Sequence, residues 1–275
     1  MGVDAIVHQH WNNAPFPSHV IEAAKKIQMV IPVDEIARRE DWRERDVITI
    51  DPKTAKDFDD AISVEKAKNG WRLAVHIADV SYYVKPESVM DLEARERGNS
   101  TYLVDRVIPM LPEELSNGIC SLVPQEDRLT KCVVIDFDIK GRIVETYFCD
   151  AVICTPRKYA YEEAQEILEN PGKGGRLGNR IREAWDLASL LRRRRFDNGG
   201  LDLDMPEVSI VLDDKGVPTG YQREEYNESH QLIEEFMLVA NEAVARVVKN
   251  SNRPTIYRVH EDPDPEKLKE FVELA

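Results

Sequence analysis

The segment Thr49-Ile-Asp51-Pro-Lys-Thr-Ala-Lys-Asp57-Phe-Asp59-Asp60-Ala-Ile62 places four carboxylates between two short apolar stretches. The flanking residues are typical of strands, so the acids are predicted to lie between the end of one strand and the start of the next. Like charges held together repel one another and lose solvation, and divalent cations are the simplest compensation. Carboxylate oxygens suit Mg²⁺ or Mn²⁺. Two such ions about 3.5–4 Å apart can assist phosphodiester cleavage by activating water.

The acidic segment allows other structural interpretations besides a metal site. A solvated acidic turn stays open on the residues alone. A calcium loop of the EF-hand type is excluded, because counting from Asp51 its sixth position is Lys56 instead of Gly and its twelfth is Ile62 instead of Glu. Asp57-Phe-Asp59 matches the Asp-x-Asp of many phosphotransferases only weakly, because no apolar strand leads directly into it.

Outward from the acids, alternating apolar residues predict a sheet. Apolar runs separated by Gly-containing turns indicate hairpins. The predicted strands are Val47–Ile50, Ala61–Val64, Trp71–Val75, Cys132–Ile139 and Arg142–Phe148.

Helical periodicity dominates the second half of the chain. The predicted helices cover Tyr161–Leu168, Arg180–Arg195, Ser229–Val248 and a segment that follows Asp262. Strands followed by helices favour an α+β fold, a mixed β-sheet core with flanking helices. Residues 1–30 are predicted to be a lead-in segment, either the tail of a preceding domain or a linker, and residues 31–275 the N-terminal and central part of one domain.

Composition limits the function classes. The 275 residues carry a formal charge of −14, which argues against a broad basic nucleic-acid surface. A metal centre built from carboxylates is itself acidic, however, and a basic channel can be local. No apolar run is long enough to cross a membrane and no secretory signal is evident, so a cytoplasmic location is expected. The four cysteines lack metal-type spacing and are expected to be reduced thiols.

The four acids and several other segments of the chain resemble one known protein family. Asp51, Asp57, Asp59 and Asp60, at these spacings, resemble the active-site signature of the ribonuclease II and ribonuclease R family, whose catalytic domain is of the RNB type. Further segments resemble the family in the family's order. They are Val75–Ser81, Tyr102–Ser116, Ile233–Asn241 and Tyr257–Lys267.

The resemblance implies a hydrolytic, magnesium- or manganese-dependent 3'→5' exoribonuclease that degrades single-stranded RNA from its 3' end and releases 5'-mononucleotides. By position it implies that Asp51 and Asp60 are metal ligands, that Asp57 supports the cluster, and that Asp59 is the carboxylate most directly engaged in catalysis. All four acids are expected to share the metals.

The resemblance also implies two substrate-binding residues. Tyr102 matches the family tyrosine that stacks on the terminal nucleotide, and Glu234 matches a glutamate that contacts the terminal ribose. Glu235 stays open as the alternative match. Near the family's second aromatic clamp this chain has Leu203, which offers weaker stacking.

Several family features are expected outside these residues. The chain ends within a predicted helix, so the C-terminal part of the domain is expected to be missing, including an arginine-rich segment that supplies a cation to the phosphate. Cold-shock-type domains on the N-terminal side and an S1-type domain on the C-terminal side are expected in the full protein. A catalytically weak RNA-binding or scaffold fragment is the alternative function, and a small-molecule phosphatase is a weaker one.

Overall fold

A five-stranded mixed sheet forms the centre of the fold. The computed structural model describes residue 7 and residues 15–27, 30–201, 208–223, 225–257, 259 and 261–274. The described strands are β1 (Glu40–Asp41), β2 (Thr49–Asp51), β3 (Asp60–Ala67), β4 (Gly70–Ala78), β5 (Thr101–Tyr102), β6 (Val107–Ile108), β7 (Asp127–Asp138), β8 (Ile143–Cys154), β9 (Lys158–Ala160), β10 (Val208–Leu212) and β11 (Pro218–Arg223). The described helices are α1 (Ser18–Lys25), α2 (Val33–Arg38), α3 (Val80–Tyr83), α4 (Val89–Arg97), α5 (Tyr161–Glu169), α6 (Gly175–Asp197), α7 (Glu228–Asn250) and α8 (Pro265–Leu274), with a short π-helical segment at Glu114–Ile119.

The central sheet has the order β1-β8-β7-β4-β3 and confirms both predicted hairpins. Strands β3 and β4 pair antiparallel across a turn at residues 68–69, and β7 and β8 also pair antiparallel. Strand β1 joins the edge in parallel with β8, which makes the sheet mixed. Gly70, the first residue of β4, has a φ of +154°, and a Cβ there would lie 1.7 Å from the carbonyl oxygen of Phe137 in β7, so position 70 requires glycine.

Each face of the sheet buries a different set of apolar residues, as the period-two alternation of strands requires. On one face, Val75 of β4 and Ile135 of β7 belong to the same buried cluster as residues of α5, α6 and α7. Phe236 of α7, which is fully buried there, contributes roughly 1.5–3 kcal/mol through burial of its ring. The opposite face packs against loop residues that include Phe58 and Leu122. The predicted α+β architecture is therefore confirmed.

The predicted lead-in packs against the rest of the chain where it is described. In α1, Val20 and Ala24 are buried against Leu115 and Ile119 of the π-helical segment. The boundary near residue 30 stays a prediction. Among the described helices, none is both long enough and apolar enough to span a bilayer.

Candidate active site

The acidic segment connects the two-stranded sheet of β2 and β9 to the five-stranded central sheet. Asp51 is the last residue of β2, and Asp60 is the first residue of β3. Strand β2 pairs in parallel with β9, so that Asp51 is opposite Ala160. An antiparallel bridge between Ile48 and Ile62 joins the two arms of the segment. Residues 52–59 therefore form a loop whose two ends are held close together.

Burial and mutual repulsion set the electrostatics of the two acids at the ends of this loop. Asp51 is buried, and burial, followed by the charge of Asp60, raises its pKa to about 7. Asp60 is half-buried, and burial, followed by the charge of Asp59, raises its pKa to about 6. At neutral pH these carboxylates carry negative charge that the fold only partly compensates.

The other two acids lie in the loop itself and nearer to solvent. Burial of its carboxyl group, followed by the charge of Asp57, raises the pKa of Asp59, which is an exposed residue overall. The Tyr102 hydroxyl donates a hydrogen bond to Asp57 Oδ2 at 3.4 Å. Tyr102 is 69% exposed, so most of its ring is accessible beside the acids. The structure thus brings Tyr102 to the acidic loop.

The donor set of this loop fits a divalent cation in its chemistry. Asp51 Oδ2 is buried and has no hydrogen-bond partner, although a buried carboxylate oxygen normally has one. Oxygen donors of this kind are the preferred ligands of Mg²⁺. Within the described part of the chain, however, no three His, Cys, Asp or Glu side chains stand in a ready-made metal-ligand arrangement. A cation here would have to draw the acids closer together.

Lys158 is a site residue that the sequence patterns did not reveal. It lies on β9 opposite Thr49, and its positive charge lowers the pKa of Asp51. Its Nζ donates to the carbonyl oxygen of Ala55 at 3.1 Å and lies 4.2 Å from the centre of the Phe58 ring. Lys158 therefore provides positive charge beside Asp51 and also contacts the acidic loop. A lone Lys in a strand gives no signal of such a role.

An aromatic pair lies between the acids and α7. Tyr161 directly follows β9, and burial, followed by the charges of Asp51 and Asp60, raises its pKa to about 12. Its ring stacks on His230 of α7 with 3.9 Å between centroids and 15° between planes. The sequence had indicated Tyr161 only as a helix start. This stack connects the acidic loop to the helix that carries Glu234.

The structure separates the two candidate glutamates of α7. Glu235 is 3% exposed and accepts hydrogen bonds from Arg195, including one from Nε at 3.0 Å. Glu234 is half-buried and accepts from Arg195 Nη2 at 3.2 Å and from the Tyr226 hydroxyl. The Glu235 carboxylate is thus buried in an ion pair with the partly exposed Arg195, whereas Glu234 is more accessible. Burial favours Glu234 as the ligand-facing residue, and its ribose role stays a prediction.

A buried histidine and two arginines of α6 have structural roles. His76 is fully buried, and burial lowers its pKa to about 3 while its Nδ1 hydrogen-bonds Thr130 Oγ1 at 3.1 Å. In the arginine run of α6, Arg194 donates to the carbonyl oxygen of Gly141, and Arg195 binds the glutamates of α7. Leu203 lies outside the described residues.

Comparisons with known proteins show the family and the fold of this chain. A family model described as the RNB domain matches residues 39–275. Ribonuclease R of Thermotoga maritima is 44% identical over 266 residues, covering 94% of this chain and 38% of that protein. Ribonuclease R of Mycoplasma genitalium, in complex with ribose-methylated single-stranded RNA, is 34% identical with a TM-score of 0.89, covering 94% of this chain and 41% of that one. Yeast Ssd1, a pseudonuclease, shares the fold with a TM-score of 0.70 at 18% identity, covering 89% of this chain and 30% of that one. The chain therefore spans less than half the length of each of these proteins.

Proposed function

This chain belongs to the RNB domain family, and on that premise we propose that it carries the catalytic centre of a 3'→5' exoribonuclease. The proposed reaction hydrolyses single-stranded RNA from its 3' end and releases 5'-mononucleotides, and the proposed setting is the cytoplasm. One observation carries the proposal. Asp51, whose buried Oδ2 has no hydrogen-bond partner, and the exposed Tyr102 and Asp59 meet at one acidic loop.

The reaction requires attack by water on the last phosphodiester bond. The water oxygen bonds to phosphorus, the bond from phosphorus to the 3' oxygen of the penultimate nucleotide breaks, and that oxygen takes up a proton. Asp59 is the exposed acid of the loop, and we assign it the contact with the attacking water. The new chain end then carries a 3'-hydroxyl, which allows the next cycle.

Magnesium or manganese ions are the proposed cofactors. Asp51, Asp57, Asp59 and Asp60 would hold them, and the ions would supply positive charge that polarises water and stabilises the leaving oxygen. The raised pKa values of Asp51 and Asp60 fit this role, because two crowded carboxylates gain from any added positive charge.

Two described groups would orient the RNA. The accessible ring of Tyr102 offers a surface for stacking the terminal base, since every base presents a π-face. Glu234 offers a carboxylate acceptor for the 2'-hydroxyl of the terminal ribose. Because the chain spans 38% of its Thermotoga maritima relative, cold-shock-type and S1-type domains elsewhere in the complete protein are proposed to supply further RNA affinity.

Product analysis tests this function. A 5'-labelled single-stranded RNA and the same RNA with a 3'-phosphate block would be incubated with the complete gene product and Mg²⁺ or Mn²⁺. The proposal expects stepwise shortening of the unblocked RNA with 5'-mononucleotides as the product. Internal cuts, or equal turnover of a simple phosphomonoester without RNA, would contradict it.

A scaffold function is the second candidate, and the fold shared with the pseudonuclease Ssd1 favours it. A scaffold would bind RNA without shortening it under any cation. Retention of all four acids argues against this candidate, because an inactive protein gains nothing from keeping repelling carboxylates together.

A further inference from the structure

Buried residues from two other segments, Ala78 and Ser121–Leu122, hydrogen-bond the backbone of the acidic loop. Four backbone groups of the loop, at Lys56, Phe58 and Asp59, are bonded by residues from elsewhere. Leu122 N–H donates to the Phe58 carbonyl oxygen at 2.9 Å, and Ala78 N–H donates to the Asp59 carbonyl oxygen at 2.9 Å. These bonds fix the backbone of the residues that carry the catalytic acids.

Ser121 makes the remaining two bonds with a single side-chain atom. Its Oγ donates to the Lys56 carbonyl oxygen at 2.8 Å and accepts from Phe58 N–H at 3.0 Å. Ser121 is fully buried, so water does not reach the hydroxyl to replace either partner. The hydroxyl therefore bridges two loop residues that flank Asp57.

Phe58, which lies between Asp57 and Asp59, is held in the core by this bridge. Phe58 is 6% exposed and packs on the sheet face that also buries Leu122, whereas Asp59 is exposed. With Phe58 seated in the core, Asp57 and Asp59 are kept at the surface on either side of it.

Ser121 is itself held in place by a buried cation. Arg128 of β7 is 5% exposed, and its Nε donates to the Ser121 carbonyl oxygen at 2.7 Å. The same guanidinium donates to the carbonyl oxygen of Asp127 at 2.9 Å and to Glu126 at 2.7 Å. The bridge is thus connected to the central sheet and does not depend on a flexible loop.

We propose that Ser121 is a positioning residue that sets the placement of Asp57 and Asp59 through its bonds to Lys56 and Phe58. The inference rests on the proposed function for its catalytic consequence. Misplacement of reacting groups by about 1 Å can cost about 100-fold in rate. A hydroxyl that fixes the loop backbone therefore controls turnover without touching RNA.

The test compares buried hydroxyl deletions in the complete gene product. Ser121→Ala removes both loop bonds, and Ser121→Cys keeps nearly the same volume with a much weaker hydrogen-bonding group. Thr155→Val is the matched control, because Thr155 is 1% exposed and its Oγ1 bonds only the Leu122 carbonyl oxygen, at 3.4 Å, and no loop atom. Two readouts are taken: kcat and KM with the Mg²⁺ half-saturation, and amide hydrogen exchange of a peptide covering residues 52–59.

The expected result separates Ser121 from the control. Both Ser121 variants should lower kcat about tenfold or more, leave KM for RNA nearly unchanged and raise the Mg²⁺ half-saturation. Exchange of the 52–59 peptide should accelerate in these variants and stay at the wild-type rate in Thr155→Val. Wild-type kcat and wild-type exchange in both Ser121 variants would overturn the inference.

Failure of the proposed function would look different. If the wild-type protein degrades no RNA while the Ser121 variants still accelerate loop exchange, the positioning role stands and the nuclease assignment falls. If Ser121→Ala does not fold, the kcat of Ser121→Cys and the exchange rate of its 52–59 peptide decide whether Ser121 positions the loop. Loss of kcat together with equal loss in Thr155→Val would show a general stability effect and would also overturn the inference.

Discussion

Among single residues, Asp51 is one whose burial strongly disfavours its negative charge. Its Oδ2 is buried without a partner, and its ordinary pKa of about 3.9 is raised to about 7 in the fold. Between those pH values the folded chain holds a proton that the unfolded chain has released, so stability falls as the pH rises through this window. A site that costs stability at neutral pH is consistent with selection for cation binding.

Replacement of Asp51 by Asn should therefore stabilise the cation-free chain. In EDTA at pH 8 we expect Asp51→Asn to be more stable than wild type by roughly 1–3 kcal/mol, because the buried charge is gone. The difference should shrink toward pH 4, because there the folded carboxyl is protonated and no longer carries a buried charge. Thermal unfolding from pH 4.5 to 8 measures this, with exposed Asp214→Asn as the control.

Added Mg²⁺ should reverse this order in the same thermal measurement. Wild type should gain stability as the cation binds the folded state, and Asp51→Asn should gain much less. An equal gain in both proteins would contradict cation binding at this loop.

Tyr102 is a second single residue whose exposed ring leads to a testable prediction. We expect Tyr102→Ala to weaken binding of a short single-stranded RNA by about 1–3 kcal/mol, because one base loses its stacking partner. Tyr102→Phe keeps the ring and gives up only a long hydrogen bond to Asp57, so it should bind almost as well as wild type. Fluorescence titration reports both Kd values. Tyr221→Ala is the control, since Tyr221 is 81% exposed on the β11 hairpin, and an equal loss there would remove the case for Tyr102.

At the scale of elements, strand pairing brings the site together. The parallel pairing of β2 with β9 puts Lys158 and Tyr161 beside Asp51, although more than a hundred residues separate them along the chain. Helix α7 then adds Glu234 beyond the stack of His230 on Tyr161. The site therefore depends on the register of two short strands and on one helix packed against the sheet.

The two glutamates of α7 should respond differently to substitution. Glu235→Gln should cost roughly 1–3 kcal/mol of stability, because it removes the charge of a buried carboxylate that pairs with the partly exposed Arg195. Glu234→Gln should unfold at nearly the wild-type temperature but lose about tenfold of the preference for RNA over DNA ends. Thermal unfolding and rates on ribose- and deoxyribose-terminated oligonucleotides distinguish the two. The reverse pattern would assign the ribose contact to Glu235.

These elements also show how far the sequence could lead. Alternation along β3, β4, β7 and β8 predicted both hairpins, and the spacing of the acids pointed to the candidate site. Lys158, Tyr161 and Ser121 were missed because each reaches the acidic loop only through tertiary pairing. Local periodicity contains no information on which distant strand will lie opposite Thr49. The family resemblance assigned the ribose contact to Glu234 and left Glu235 open, and burial in the structure also favours Glu234.

At the scale of the whole molecule, the net charge of −14 and the proposed substrate oppose each other. Repelling acids at the site account for part of the negative charge, and the arginines of α6 are largely engaged within the protein. We therefore expect affinity for long RNA to come largely from other surfaces of the complete protein. The chain spans 38% of its Thermotoga maritima relative, and the remaining length of such a protein has room to supply them.

The 275-residue chain alone should consequently be a poor enzyme. We expect its kcat/KM on single-stranded RNA to be at least about 100-fold below that of the complete gene product, with binding that weakens further as salt is raised. Parallel assays at several salt concentrations measure this. Equal efficiency of the two proteins would mean that the chain holds all the RNA-binding surface it needs.

We propose that the acidic loop performs RNA 3'-end hydrolysis. The rate at which the complete gene product with Asp59→Asn releases 5'-mononucleotides from single-stranded RNA in Mg²⁺ tests this proposal. Because Asn keeps the size of Asp and removes its charge, folding should be preserved while release falls by about 100-fold or more. A correctly folded Asp59→Asn protein that releases mononucleotides at the wild-type rate would contradict the claim.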